Sequence, residues 1–161
     1  NSIHFIDLFS FLSGETDFRI TSADLDKEIL ASKREGFLEF TGTLHGISEN
    51  GSKFSLISHK EFNTPFVINV SKNTSRYTIL ESDGKTIQAH KSKGWKDEEV
   101  QFKVPYQSQL THLAVNKILE TEQCDLTPLE LSFKLHKPLL KTFTQHIERV
   151  MKHSYERCPI T

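Results

Sequence analysis

The sequence has little cysteine and no long apolar run, and these two absences exclude several classes of protein. Only two cysteines, Cys124 and Cys158, occur among 161 residues, too few for the dense disulfide framework of a small secreted domain. No apolar stretch reaches the ~18–20 residues that cross a bilayer. We therefore expect a soluble, cytoplasmic protein without a membrane span.

The familiar sequence signatures of enzymes are also missing. The chain contains no G-x-S-x-G, no Walker phosphate loop, no G-x-G-x-x-G and no H-E-x-x-H, so nothing in it marks a catalytic or cofactor site. His146 and His153 lie seven residues apart, whereas two metal ligands on one helix are usually about three or four residues apart. We predict no catalytic residue, cofactor or metal site. A hydrolase or nuclease whose site forms only in the fold stays an alternative.

Charge and length indicate one folded domain without a strong overall field. The chain has 20 Lys and Arg against 21 Asp and Glu, a net charge of −1, so no global charge draws it to nucleic acid or to an anionic membrane. Its 36% hydrophobic and 25% charged residues are typical of a globular protein. We predict a single domain over residues 1–161.

Two helices are predicted in the N-terminal segment, residues 1–35. The apolar residues of the first share one helical face: Phe5, Ile6, Phe9 and Leu12. A second helix is predicted over 22–34. Thr21 and Ser22 can cap its start, acidic residues follow them, and basic residues precede Gly36. The Phe-rich first segment is the part expected to dock on a second subunit, if the chain forms a homo-oligomer.

Alternating apolar residues predict an antiparallel sheet over residues 37–104. Asn50-Gly51 and Asp83-Gly84 are hairpin signals, because two-residue turns need positive φ. The six predicted strands are 37–45, 53–58, 65–70, 77–81, 86–90 and 100–104.

Residues 105–161 are predicted to form a helix, a strand and a helix. Apolar spacing indicates a helix over 107–122. Apolar and polar residues alternate over 129–136 and predict a seventh strand, despite a capping-box motif at its start. Pro138 then predicts the start of a closing helix that runs to about Arg157. The fold class is therefore α+β, an antiparallel sheet or small barrel of six to seven strands flanked by N-terminal and C-terminal helices.

The segment Lys85–Lys96 is a candidate ligand-binding loop. It holds four lysines and the only tryptophan, with no acid, and such a loop can grip phosphates while an aromatic ring stacks on a base. The candidate residues are Lys91, Lys93 and Trp95. Three acids follow at once, Asp97, Glu98 and Glu99, and favour a solvated loop instead.

The stretch from Thr41 to Gly51, followed by Phe54-Ser-Leu56, resembles a signature of PilZ domains, in which an Asp or Asn, Ser and Gly lie at a hairpin. Ser48 and Gly51 match this signature, while Gly46 occupies the Asp or Asn position. The likeness extends over residues 37–122. PilZ domains are six-stranded barrels that commonly bind cyclic di-GMP through an R-x-x-x-R motif, and this motif is absent here.

The resemblance implies a degenerate PilZ-like module with impaired cyclic di-GMP binding, in which Ser48 and Gly51 are candidate ligand-binding residues. The function predicted from the whole sequence is a non-enzymatic binding or regulatory domain whose partner is a protein or a small nucleotide. The first alternative is a nucleic-acid-associated protein that uses the 85–96 loop and the C-terminal helix.

Overall fold

The fold is described from a computed structural model, which describes residues 2–60, 65–124 and 126–160. The chain divides into two compact units: Asn1–Glu61 with Thr127–Thr161, called here the first unit, and Phe62–Leu126, the second unit. The described part contains three helices and nine strands, and the strands pair in antiparallel fashion. The predicted α+β class is confirmed.

The first unit begins with the predicted helix, α1, which spans Ser2–Ser13. Gly14 follows it with a φ of +72°, and its backbone N–H donates to the Ser10 carbonyl at 2.9 Å. Left-handed glycines commonly end helices in this way. The apolar face of α1 is directed inward, and Ile6 is completely buried.

The helix predicted over 22–34 is wrong. Residues Phe18–Leu25 form strand β1, and Leu30–Ala31 (β2) pairs with Leu38–Glu39 (β3). A shift of register between Ile20 and Ser22 leaves Thr21 as an extra residue, and such a bulge breaks the period of two that marks a strand in sequence. The inward residues of β1 pack on the core: Phe18, Ile20, Ala23 and Leu25.

The Asn50-Gly51 hairpin is confirmed. It joins β4 (Gly42–Ser48) to β5 (Lys53–Ser58), and β4 is the central strand of a sheet ordered β1-β4-β5. Gly46 is buried on the inner side of β4, where the Phe54 ring occupies the space that a Cβ would need. That ring also packs on Phe9 and Phe18, with centroids 4.8 and 5.4 Å away.

The strand predicted over 129–136 is also wrong, because helix α3 runs without interruption over Leu129–Met151, with Pro138 inside it. Of the alternating residues that suggested a strand, Leu129 and Phe133 are 80% and 64% exposed, while Leu135 is buried. The buried residues follow helical spacing instead: Leu135, Leu139, Phe143, His146 and Ile147.

The core of the first unit lies between α1, α3 and the inner face of the sheet. Its buried members are Ile6, Leu44, Leu135, Leu139 and Phe143. Near the end of the chain, Leu38 donates its backbone N–H to the Pro159 carbonyl at 2.7 Å, and Cys158 and Ile160 pack on the same core. These contacts hold the residues after α3 against β3.

The second unit is a four-stranded antiparallel meander followed by helix α2. Its strands, in spatial and chain order, are β6 (Ile68–Ser71), β7 (Ser75–Leu80), β8 (Lys85–His90) and β9 (Asp97–Gln101). Gly84 (φ +62°) ends the short helical turn between β7 and β8, as the Asp-Gly signal predicts. Helix α2 spans Gln107–Thr121, close to its predicted range. The strands expected between 37 and 104 thus belong to three sheets.

Candidate functional site

Ser48 and Gly51, the candidate residues of the PilZ-like signature, lie together in the β4–β5 hairpin of the first unit. Ser48 is buried, and its Oγ accepts a hydrogen bond from the Ser52 backbone N–H at 3.0 Å. The Gly51 N–H donates to the Ser48 carbonyl at 3.1 Å. The Ser48 side chain therefore stabilises the turn, and a role in ligand binding stays a prediction.

Lys91, Lys93 and Trp95 lie together in the loop between β8 and β9 of the second unit. Gly94 and Trp95 both have left-handed backbones, with φ of 66° and 63°. This conformation is uncommon for a bulky residue, and it is held here by the Trp95 N–H, which donates to the His90 carbonyl at 3.0 Å. The Trp95 ring is partly exposed.

Ion pairs compensate much of the positive charge around this loop. Lys93 donates to both carboxylate oxygens of Glu98 at 2.8 Å, and this hydrogen bond lowers the pKa of Glu98 below its ordinary value. Arg76 pairs with Asp97 at 2.9 Å, and Lys85 lies 3.7 Å from Glu99. The acids of β9 therefore reduce the charge that a nucleic-acid site in this loop would need.

Helix α2 carries several exposed large apolar side chains in the described part of the second unit. None of its residues is buried, and five large apolar side chains are between 44% and 77% exposed. We call these five the α2 surface: Leu110, Leu113, Val115, Ile118 and Leu119. An amphipathic helix of a globular protein normally buries such residues, whereas these five side chains of α2 are exposed.

Local signals in the sequence fix the ends of α2. At its start, the Tyr106 backbone N–H donates to the Gln109 side-chain oxygen at 3.0 Å, and the Gln109 N–H donates to the Tyr106 carbonyl at 2.8 Å. At its end, Glu122 has a left-handed φ of 55° and donates to the Ile118 carbonyl at 2.9 Å. These capping contacts satisfy backbone groups that a helix end leaves free.

The described residues contain no group of three or more His, Cys, Asp or Glu side chains placed to hold a metal ion. Two further pKa shifts have simple causes. A hydrogen bond from Lys134 lowers the pKa of Asp17, and burial raises the pKa of the Cys158 thiol. A raised pKa keeps a thiol protonated at neutral pH and makes it a poor nucleophile. Neither shift marks a catalytic group.

Within the described ranges, no helix has the length and apolar character that crossing a bilayer requires. Comparison with known proteins does not assign a family, because no family model, curated protein or solved structure matches the chain.

Proposed function

We propose that this chain is a non-enzymatic binding domain, and that the α2 surface binds a second copy of the same chain. The observation that supports this proposal is the exposure of five large apolar side chains on one helix, none of whose residues is buried. Burying a Leu or Ile side chain contributes about 1.5–3 kcal/mol. Association through α2 therefore buries apolar side chains that are exposed in the isolated chain, and this burial favours the dimer.

The charges of α2 favour a protein partner over a membrane or a nucleic acid. The helix has one cation and one anion, Lys117 and Glu120. Helices that lie on membranes usually have Lys and Arg along their polar face, and binding to nucleic acid requires several cations that contact phosphates. A nearly neutral helix with exposed apolar side chains instead fits another apolar protein surface.

A second copy of α2 offers such a surface when two helices pack antiparallel about a two-fold axis at Ala114. In this arrangement Leu110 faces the partner's Ile118, and the small Ala114 side chain allows the helices to approach closely. Lys117 faces the partner's Thr111, so no like charges meet. Leu110, Ala114 and Ile118 thus form the centre of the proposed contact, while Leu119, five residues after Ala114, lies on the far side of the helix.

The dimer is expected to be weak. A helix of 15 residues is about 22 Å long, and two such helices cover less than the ~1,600 Å² of a standard interface. An interface of this size suits a reversible, concentration-dependent contact, as a regulatory domain requires.

Disulfide trapping tests the predicted axis. In a Cys124→Ser background, Ala114→Cys should give a covalent dimer under mild oxidation, because a two-fold axis at residue 114 brings the two Cβ atoms to bonding distance. Asn116→Cys lies on the polar face of the same helix and is the matched control. Equal dimer yields from the two variants, or no dimer from Ala114→Cys, would contradict the proposed pairing; non-reducing electrophoresis measures both.

The PilZ-like interpretation is a second proposal, and its signature residues lie in the first unit rather than in α2. It is supported by Ser48 and Gly51, which lie at a hairpin as the signature requires. Because the R-x-x-x-R motif is absent, calorimetry with cyclic di-GMP is expected to detect no binding in the micromolar range. Tight binding would instead show that other residues replace the missing arginines.

A further inference from the structure

The outer face of the first unit's sheet contains a shallow depression of about 340 Å³, formed by all three strands. Its polar lining comes from β1, β4 and β5, and none of its lining side chains is acidic. The side chains that line it on this face are Arg19, Thr21, His45, Ile47, Lys53 and Ser55.

Strand register brings these side chains together. Arg19 pairs with Ile47, and Ile47 pairs with Lys53, so the two cations flank one residue in a single row across the sheet. Neighbouring strands are ~4.8 Å apart, which places the backbones of Arg19 and Lys53 roughly 10 Å apart. Two long side chains attached at this separation can converge on one anion above Ile47.

A second row lies beside the first on the same face. His45 pairs with Ser55 across β4 and β5, and the His45 Nδ1 is 2.7 Å from the Ser55 Oγ. When the Ser55 hydroxyl donates to Nδ1, the ring proton lies on Nε2, which makes no described hydrogen bond. The bulge in β1 adds Thr21 to this row. The second row thus offers hydrogen-bond donors beside the two cations.

The two cations of the depression differ from two ion-paired lysines of the first unit. Lys60 pairs with Glu28, and Lys134 pairs with Asp17. Among the described residues, neither the Arg19 side chain nor the Lys53 side chain makes a hydrogen bond or an ion pair. Two uncompensated charges beside hydrogen-bond donors are the chemistry that binds a phosphate group.

We propose that this depression binds the phosphate group of a small ligand, either a phosphate monoester or a diphosphate. The Arg19 guanidinium contacts two phosphate oxygens through its fork of N–H groups, Lys53 neutralises a second charge, and His45 and Thr21 donate to the remaining oxygens. A small ligand is favoured over a polynucleotide, because the depression has two cations rather than the track of cations that a phosphate backbone requires.

Titration of the whole chain with inorganic pyrophosphate tests the site. In amide NMR spectra, the expected chemical-shift changes centre on residues 19–21, 45–47 and 53–55, and calorimetry measures the affinity. The double variant Arg19→Gln, Lys53→Gln is expected to bind at least about tenfold more weakly, since it removes both charge-assisted contacts to the phosphate oxygens. Both side chains are exposed, so the fold should persist, as circular dichroism can verify.

The control is Lys33→Gln, which removes a positive charge from an exposed residue of the same unit outside the depression. It should bind pyrophosphate like the unmodified chain. The proposal is overturned if the unmodified chain does not bind pyrophosphate, or if the double variant and the control bind equally well. It is also overturned if a single-stranded oligonucleotide binds where pyrophosphate does not, because the site would then belong to a nucleic-acid surface.

Discussion

His146 shows how one residue type can suggest chemistry in the sequence and serve packing in the fold. It is buried on α3, where its Nε2 lies 2.9 Å from the Asp26 carbonyl and its Nδ1 lies 3.1 Å from an Arg149 guanidinium nitrogen. Because Arg149 can only donate, Nδ1 accepts and Nε2 carries the proton. The ring also meets Phe40 edge-on at 5.7 Å. Both nitrogens are thus used inside the first unit.

Replacing His146 is expected to destabilise the protein. His146→Leu removes the hydrogen bond to the Asp26 carbonyl, and the loss of one intramolecular hydrogen bond costs about 0.5–1.5 kcal/mol. Urea denaturation measures the change in the free energy of unfolding. His153→Leu, at an exposed position, is the control and should change stability by less than about 0.5 kcal/mol. Equal effects of the two substitutions would show that the contacts of His146 do not stabilise the fold.

At the scale of elements, α3 shows why a local pattern can mislead. Alternating apolar residues over 129–136 satisfy a strand pattern, yet the helical spacing of Leu135, Leu139 and Phe143 extends the same helix over 23 residues. The helix is favoured because it buries more apolar surface in the core than a strand would. Tertiary packing thus overrides a short local signal. Pro138 reinforced the error, since proline is favoured at the start of a helix and disfavoured inside one.

Pro138 within α3 leads to a clear prediction. Proline has no backbone N–H, so the Lys134 carbonyl four residues earlier lacks its usual helical donor. Pro138→Ala should raise the free energy of unfolding by up to ~3 kcal/mol, because alanine restores that hydrogen bond and has a higher helix propensity. Thermal or urea denaturation measures the change. If a helix instead began at residue 138, the substitution would leave stability unchanged or lower it.

Some of the helices and strands can be predicted from the sequence, and others cannot. The sequence predicts helix α1, helix α2 and both glycine hairpins near their observed bounds, because each has its own capping or turn residues. It does not predict strand β1, since the bulge at Thr21 interrupts the alternation and the acidic residues of this segment resemble those of a helix N-terminus. The row of Arg19 and Lys53 was missed because it exists only through pairing with β4.

At the scale of the whole molecule, the two units differ in how much apolar surface they bury. The core cluster of the first unit includes residues of α1, β4 and α3. In the described part of the second unit, the buried residues are Ser75 and Ala89, while α2 remains exposed. The sequence indicates which residues of α2 are apolar, but it does not indicate that the unit leaves them uncovered.

Sedimentation velocity over a range of protein concentrations tests self-association through α2 most directly. The unmodified chain is expected to shift from monomer to dimer as its concentration rises. Ile118→Glu should keep it monomeric, because the substitution puts a charge into the apolar contact. Asn116→Glu places the same charge on the polar face of α2 and should dimerise normally. A monomeric unmodified chain at all concentrations, or an Ile118→Glu variant that dimerises equally well, would contradict the account.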